Sequence, residues 1–311
     1  MTDPNDAKSP TPSAAAPKRK RRRWWLIILV VVVIGLFTLA MSYLHLLIFL
    51  YSLNDHAMTN FPAYTVKDSY GHTIRYFELK QTNAEWNLVY IHGTPGDASA
   101  FRVQFDEPFP NANLLALERP GFVDSKPARR RPSLADQADA LSALLTNSPP
   151  HKTILIGHSY GGPIAVQAAL KFTNQVAGVI LIGGSVDPAQ EHVMLIQRIG
   201  DWPIISWILP RAARQCNREL ITLKGDLIRL KPQLANLSVP VLMLHGEKDN
   251  LVPFANVAYM RAQLDAAGKS NLFDALTFPA YNHFIPWEHP DAVAAATRKL
   301  ISDIQQQSKM N

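Results

Sequence analysis

The sequence predicts a doubly wound, mostly parallel α/β sheet with an inserted helical cap and an N-terminal transmembrane helix. Three observations carry that prediction. Short apolar runs alternate with helical patterns along the chain, residues 187–237 break the rhythm, and one strand runs through Gly157-His158-Ser159-Tyr160-Gly161 straight into a helix. At 311 residues, 47% hydrophobic and 18% charged, the chain has apolar side chains enough for a full core, which excludes wholesale disorder. Its one cysteine, Cys216, excludes an intramolecular disulfide and a multi-cysteine zinc site.

Residues 1–23 read as a disordered basic tail, rich in Pro, Ser and Ala and ending in the block Lys18 to Arg23. Seven basic residues against Asp3 and Asp6 put nearly all of the net charge of +6 here, so the body is close to neutral and nothing in it suggests a nucleic-acid partner. The run from Trp24 to Tyr51 holds no Asp, Glu, Lys or Arg, and about 20 such residues suffice to cross the hydrocarbon layer. Trp24, Trp25, Tyr43 and Tyr51 have the interfacial preference of amphipathic aromatics. A cleaved signal peptide is the competing reading, but its apolar region is shorter. The basic block stays cytoplasmic by the positive-inside rule, which makes the chain single-pass with its body extracytoplasmic.

The body occupies 60–186 and 238–308. Tyr64 to Val66 and Thr73 to Leu79 alternate around Ser69-Tyr70-Gly71 and read as a hairpin. Asn87 to Ile91, Asn113 to Leu117, Thr153 to Ile156, Gly178 to Ile182, Val241 to Leu244 and Leu272 to Phe278 read as strands buried on both faces. Between them, Ser133 caps a helix over Leu134 to Leu145 with Asp136 three residues on. Further helices follow Ser159, run from Phe254 to Ala267 before Gly268, and start at Pro290 toward Gln305. Residues 187–237 are helix-prone without a strand run and form the cap. Its Trp202 and Trp207, with Trp287, suggest either plain core or a lining for an apolar acyl or alcohol group.

Three motifs stand in an order that acyl transfer requires. In Gly157-x-Ser159-x-Gly161 the serine sits on a sharp strand-to-helix turn, and the flanking glycines remove side chains that would collide with it. Val89 to Asp97 is a strand entering His92-Gly93-Thr94-Pro95-Gly96. An oxyanion needs two N–H donors, one from the residue after the nucleophile and one from such a loop, which assigns Tyr160 and Thr94. Val241 to Pro253 delivers Asp249 as the acid that orients an imidazole, with Glu247 and Asp187 as alternatives. His283, just past the last strand, is the base. His92 and His158 read as structural, and His289 is a poorer candidate because Pro290 starts the terminal helix.

With those residues in view, the chain from about Tyr64 to Gln305 resembles the α/β-hydrolase superfamily, in particular its capped members related to esterases, lipases and epoxide hydrolases. Arg119-Pro120-Gly121-Phe122 and the stretch His283 to Pro290 share the likeness. Epoxide hydrolases and haloalkane dehalogenases carry Asp at the elbow. Ser159 therefore implies an acyl-enzyme route needing neither cofactor nor metal. Glu118 departs from the Asp that such members often carry before Arg-Pro-Gly, at a position that is normally structural. The resemblance implies a serine hydrolase, and the apolar cap and membrane tether suggest a small apolar ester or lipid-like substrate. An acyltransferase or perhydrolase, an iminopeptidase sharing the H-G-x-P-G loop, and a non-catalytic membrane-tethered module are the alternatives. Oligomeric state has no signal in the sequence.

Overall fold

The computed structural model describes residues 24–36, 38, 39, 42, 58–127, 132–145 and 152–310. It falls into two units, Met1–Asn54 and Asp55–Asn311. In the first, residues 24–36 are helical with every large apolar side chain exposed, from 49% at Ile28 to 68% at Trp25. Among the described residues no helix is long and apolar enough to cross a membrane. The unbroken described stretch ends at Leu36, and residues 43–51 of the expected span and the basic tail lie outside the described residues.

In the second unit eight strands form one sheet in the order β1-β2-β4-β3-β5-β6-β7-β8. β1 (Ala63–Lys67) and β2 (Thr73–Leu79) are the expected hairpin, turning at Gly71 with φ +79° where a side chain would be strained. β2 is antiparallel to β4 (Ala112–Leu117). From there β3 (Trp86–Ile91), β5 (Thr153–His158), β6 (Val176–Ile182), β7 (Val241–Gly246) and β8 (Phe273–Phe278) are parallel, so all deliver their following loops to one edge.

Alternation along the strands divides the core in two. Val89, Leu155, Val179, Leu181 and Met243 pack on one face under α4 (Gly161–Lys171) and α8 (Ala255–Ala266); Leu88, Ile154, Ile156, Ile180 and Leu242 pack on the other under α9 (Pro290–Met310). Each fully buried Leu or Ile contributes about 1.5–3 kcal/mol. That is why the central strands read as unbroken apolar runs. β8 differs from the expectation of burial on both faces: only Phe273 is buried, because the strand ends the sheet with a neighbour on one side alone.

A short helix α1 (Arg102–Asp106) follows β3. The helix expected over 134–145 is two, α2 (Leu134–Asp139) and α3 (Ser142–Leu145). The Ser133/Asp136 capping box is present, but Leu141 N–H turns back to the Ala138 carbonyl and Leu144 N–H to that of Leu141, tightening the chain as both Ala140 and Leu141 enter the core. Between β6 and β7 lie α5 (Leu195–Gly200), α6 (Pro203–Ile208) and α7 (Arg211–Leu230). On α7 the buried Cys216, Glu219, Leu223, Leu227 and Leu230 recur at helical spacing. Trp202 and Trp207 are not core: they are 63% and 79% exposed, because α5 and α6 have no layer above them to bury a second face.

Candidate active site

β5 ends in a turn that holds Ser159 at φ +54°, a region a serine enters only when its surroundings dictate it. They do so through backbone bonds. Ser159 N–H donates to the Ile182 carbonyl at 2.9 Å, and its own carbonyl accepts from Gly162 N–H at 3.0 Å, starting α4. A Cβ on Gly157 would strike the Gly161 carbonyl, and one on Gly161 the Ile91 carbonyl, so both glycines are what let the helix close on the exit of β3. There Gly93 meets the serine directly: a Cβ on it would lie 2.9 Å from Ser159 Cβ.

From the exit of β7 comes Asp249, whose Oδ1 accepts N–H bonds from Leu251 at 2.9 Å and Val252 at 2.8 Å. Its Oδ2 lies 2.7 Å from His283 Nδ1, beyond the end of β8. Both residues are buried. Burial pushes the Asp249 pKa up, but the hydrogen bond and charge of His283 and the two N–H groups outweigh it and hold the carboxyl below its ordinary range. An ionised Oδ2 can only accept. His283 Nδ1 is therefore the donor of this bond, which leaves Nε2 as the ring nitrogen not engaged by Asp249. Gly183, at φ +51°, makes room for the pair, since a Cβ there would lie 3.1 Å from Oδ2 and 3.2 Å from Nδ1. Glu247 is exposed and Asp187 turns onto Ala189 N–H and Gln190, so of the three acids named in the sequence only Asp249 meets the imidazole.

Two of the other histidines, His158 and His92, are neutral fixtures. His158 is driven down to about 3 by burial and by the proximity of His283. Its Nε2–H donates to the His283 carbonyl at 3.0 Å, its ring centroid is 4.6 Å from that of His283, and Trp287 packs edge-on against it. The residue before Ser159 thus holds the backbone of His283 to the serine's turn. His92, kept neutral chiefly by burial and then by Arg119, donates Nδ1–H to the Gly93 carbonyl at 2.8 Å and accepts Arg119 N–H at Nε2. His289 stacks on Tyr281 instead.

An ion pair that the sequence did not reveal joins the segment after β4 to α7. Arg119, fully buried, holds Glu219 of α7 bidentately at 2.7 and 3.0 Å, and its Nη2 also donates to the Gly93 carbonyl at 3.0 Å. Gln137 donates a further bond to Glu219 at 3.1 Å. Glu219 carried no signal: it is one acid on a helix, a hundred residues from its partner. Asn256 was equally silent, though its Oδ1 accepts the N–H groups of Val186 and Asp187 and its Nδ2 donates to Pro253, tying the exit of β6 to the loop that bears Asp249.

Glu118 is pushed up to about 8, mainly by burial and then by Asp97, against the pull of Arg75. Thr94 and Tyr160 flank this centre as the residues after Gly93 and Ser159; the Tyr160 side chain is buried under Arg119.

The sequence model of an alpha/beta hydrolase family matches residues 88–296, which includes all of these groups. Over 104 residues, 33% of this chain, the sequence is 34% identical to a 2-succinyl-6-hydroxy-2,4-cyclohexadiene-1-carboxylate synthase of Citrobacter koseri, and the match spans 40% of that enzyme's length. It is 24% identical to a pimeloyl-[acyl-carrier protein] methyl ester esterase of Yersinia enterocolitica, across 71% of this chain and 94% of the esterase. Among solved structures a membrane phospholipase A, described as a bacterial virulence factor, superposes with a TM-score of 0.60 at 19% identity, covering 92% of this chain and 99% of the other. At that identity the likeness is one of fold.

Proposed function

The chain belongs to the alpha/beta hydrolase family, and from that premise we propose that it is a membrane-anchored serine hydrolase that cleaves carboxylic esters with an apolar acyl or alcohol part. The observation that carries the reading is the Asp249–His283 pair, 2.7 Å apart and buried beside the strained turn of Ser159.

In this reading His283 Nε2 takes the Ser159 hydroxyl proton as Oγ bonds to the ester carbonyl carbon, whose π electrons move onto oxygen. Asp249 stabilises the imidazolium without accepting its proton. The oxyanion is met by the N–H groups of Tyr160 and Thr94. The second of these has an orienting device: the Gly93 carbonyl is held by His92 and Arg119, and in a trans peptide the next N–H points the opposite way. As the tetrahedral carbon collapses, the bond to the alcohol oxygen breaks and that oxygen takes the proton from Nε2. Water then repeats the sequence on the acyl-enzyme, returning the acid and the free serine.

The membrane part of the reading is supported by a charge-free helix of exposed apolar side chains at residues 24–36, directly behind the block Lys18 to Arg23. That block would remain cytoplasmic and the body would face outward.

The test is a fluorophosphonate probe on the full-length chain. One adduct is expected by intact mass, absent in Ser159→Ala, together with turnover of p-nitrophenyl esters that varies with acyl length. Failure of the wild-type chain to label would end the proposal. An added alcohol separates acyl transfer from hydrolysis, and aminoacyl substrates test the peptidase alternative.

A further inference from the structure

Exposed apolar side chains are unevenly spread over the Asp55–Asn311 unit. Strands β3 to β8 are parallel, so the segments that follow them leave one edge of the sheet, the edge that carries Ser159, Asp249 and His283. Trp202, Ile204, Trp207 and Ile208 after β6, Leu251 after β7 and Phe284 after β8 are between 39% and 79% exposed. Leu251 is two residues from Asp249, and Phe284 adjoins His283. At the opposite edge, the connections 80–85 and 267–272 expose no large apolar side chain and consist mainly of polar and small residues. Apolar surface of this extent on one end of a molecule marks a contact site.

Two features of the patch say what contacts it. Exposed arginines stand on either side of α6, Arg198 on α5 and Arg211 at the start of α7, and outnumber the one acid between them, the half-buried Asp201, so tryptophan and isoleucine are rimmed by net positive charge, as in helices that lie in an anionic membrane interface. The patch also adjoins the loops that hold the candidate catalytic groups. A protein seated there permanently would cover the approach to Ser159, whereas a bilayer covering it is itself a source of apolar esters.

We propose that this face docks on an anionic lipid bilayer, with α5 and α6 lying in the headgroup layer and the mouth of the site turned toward the lipid. The inference builds on the membrane-anchored reading above, and the experiment keeps the two apart.

Cys216 is buried and its thiol is pushed up to about 12 by that burial and by Glu219, so a maleimide fluorophore goes to an introduced cysteine. Full-length Ile204→Cys, Trp207→Cys, Ser270→Cys and Val30→Cys chains are labelled singly and reconstituted in phosphatidylethanolamine–phosphatidylglycerol vesicles bearing brominated acyl chains. Labels at 204 and 207 are expected to lose most of their emission and the label at 270 almost none. In an Arg198→Gln background the ratio of docked to undocked cap should fall roughly fivefold, the factor expected of one cation at an anionic surface. Cap labels that behave like the one at 270 overturn docking, and the Val30 label then reports by itself whether the N-terminal helix is in the bilayer. Quenching that disappears on dilution of protein at constant lipid, with cross-linking between cap cysteines, assigns the face to a second copy and likewise overturns the proposal. Retained fluorophosphonate labelling in each variant shows that the fold and the serine reading stand whatever the cap does.

Discussion

In β5, β6 and β7 every residue is buried, whereas in α5 none is and in α6 only Ser206 is. Two charged groups that the sheet end encloses are paired: Asp249 by His283 and two N–H groups, Arg119 by Glu219 and the Gly93 carbonyl. The outer cap does the reverse, leaving large apolar groups in water. Enclosure fixes positions, because a buried charge that loses its partner is costly. Exposure fixes nothing by itself; under the docking proposal an external surface covers it. The difference teaches that one segment, residues 187–237, has two jobs, with α7 completing the core while α5 and α6 face outward.

That contrast can be broken at four places, in descending order of effect. Within the enclosed part, Asp249→Asn should reduce kcat/KM on the order of 10⁴-fold, since an amide can donate to the imidazole and favour the wrong tautomer, and ester turnover reads it. A fall of less than tenfold would remove Asp249 from the site.

Glu219→Gln leaves the Arg119 charge buried without its counter-charge. Unfolding in urea should show a loss of about 3–5 kcal/mol. Because Arg119 also holds the Gly93 carbonyl, kcat should fall in the folded variant while KM moves little. A Glu219→Asp variant that keeps the charge should recover more kcat than the Gln variant; equal kcat in the two would leave the pair a purely structural one.

Glu118 predicts a pH signature. Its pKa in the folded chain is raised to about 8, above the ordinary carboxylate value of 4.5, so the folded state binds the extra proton through that interval. Stability from this group is therefore present at low pH, declines as pH rises from about 4.5 to about 8, and is flat above. In Glu118→Gln that decline should vanish from a Tm-against-pH series; a parallel decline in both proteins would place its source elsewhere. Asp249 acts in the opposite sense, its contribution being present above its unfolded value and lost as pH falls through its lowered one.

The smallest effect belongs to the cap. Trp207→Ser removes a side chain that is 79% exposed, so the free energy of unfolding in solution should change by no more than about 0.5 kcal/mol, while turnover of ester presented in vesicles falls and turnover of soluble ester holds. A loss well above that figure would mean that Trp207 is packed and that the contrast between sheet and cap is overdrawn.

Much of this architecture was legible because its signals are local. Central parallel strands announce themselves as apolar runs and the opening hairpin as an alternation, so all eight strands were found, with most boundaries off by one or two residues, as at Trp86 and Ala112, which still pair with each other. Ser133 with Asp136 gave its capping box, since that motif spans a single turn. The break at Ala140 was not legible, being decided by what Ala140 and Leu141 pack against. Neither were the exposed tryptophans of the cap, because an apolar stripe looks the same whether a second layer covers it or not.

The sequence by itself determined the class of fold, the glycines around Ser159 and the chain order of serine, acid and histidine, because each is written in consecutive residues obeying a strand or helix period. Tertiary structure decided which acid meets His283, what Arg119 clamps and which apolar side chains remain in water. Those outcomes depend on residues as far apart as Arg119 and Glu219 reaching one point in space. Contact between distant segments is a property of the packed sheet and cap, and no window of sequence contains it.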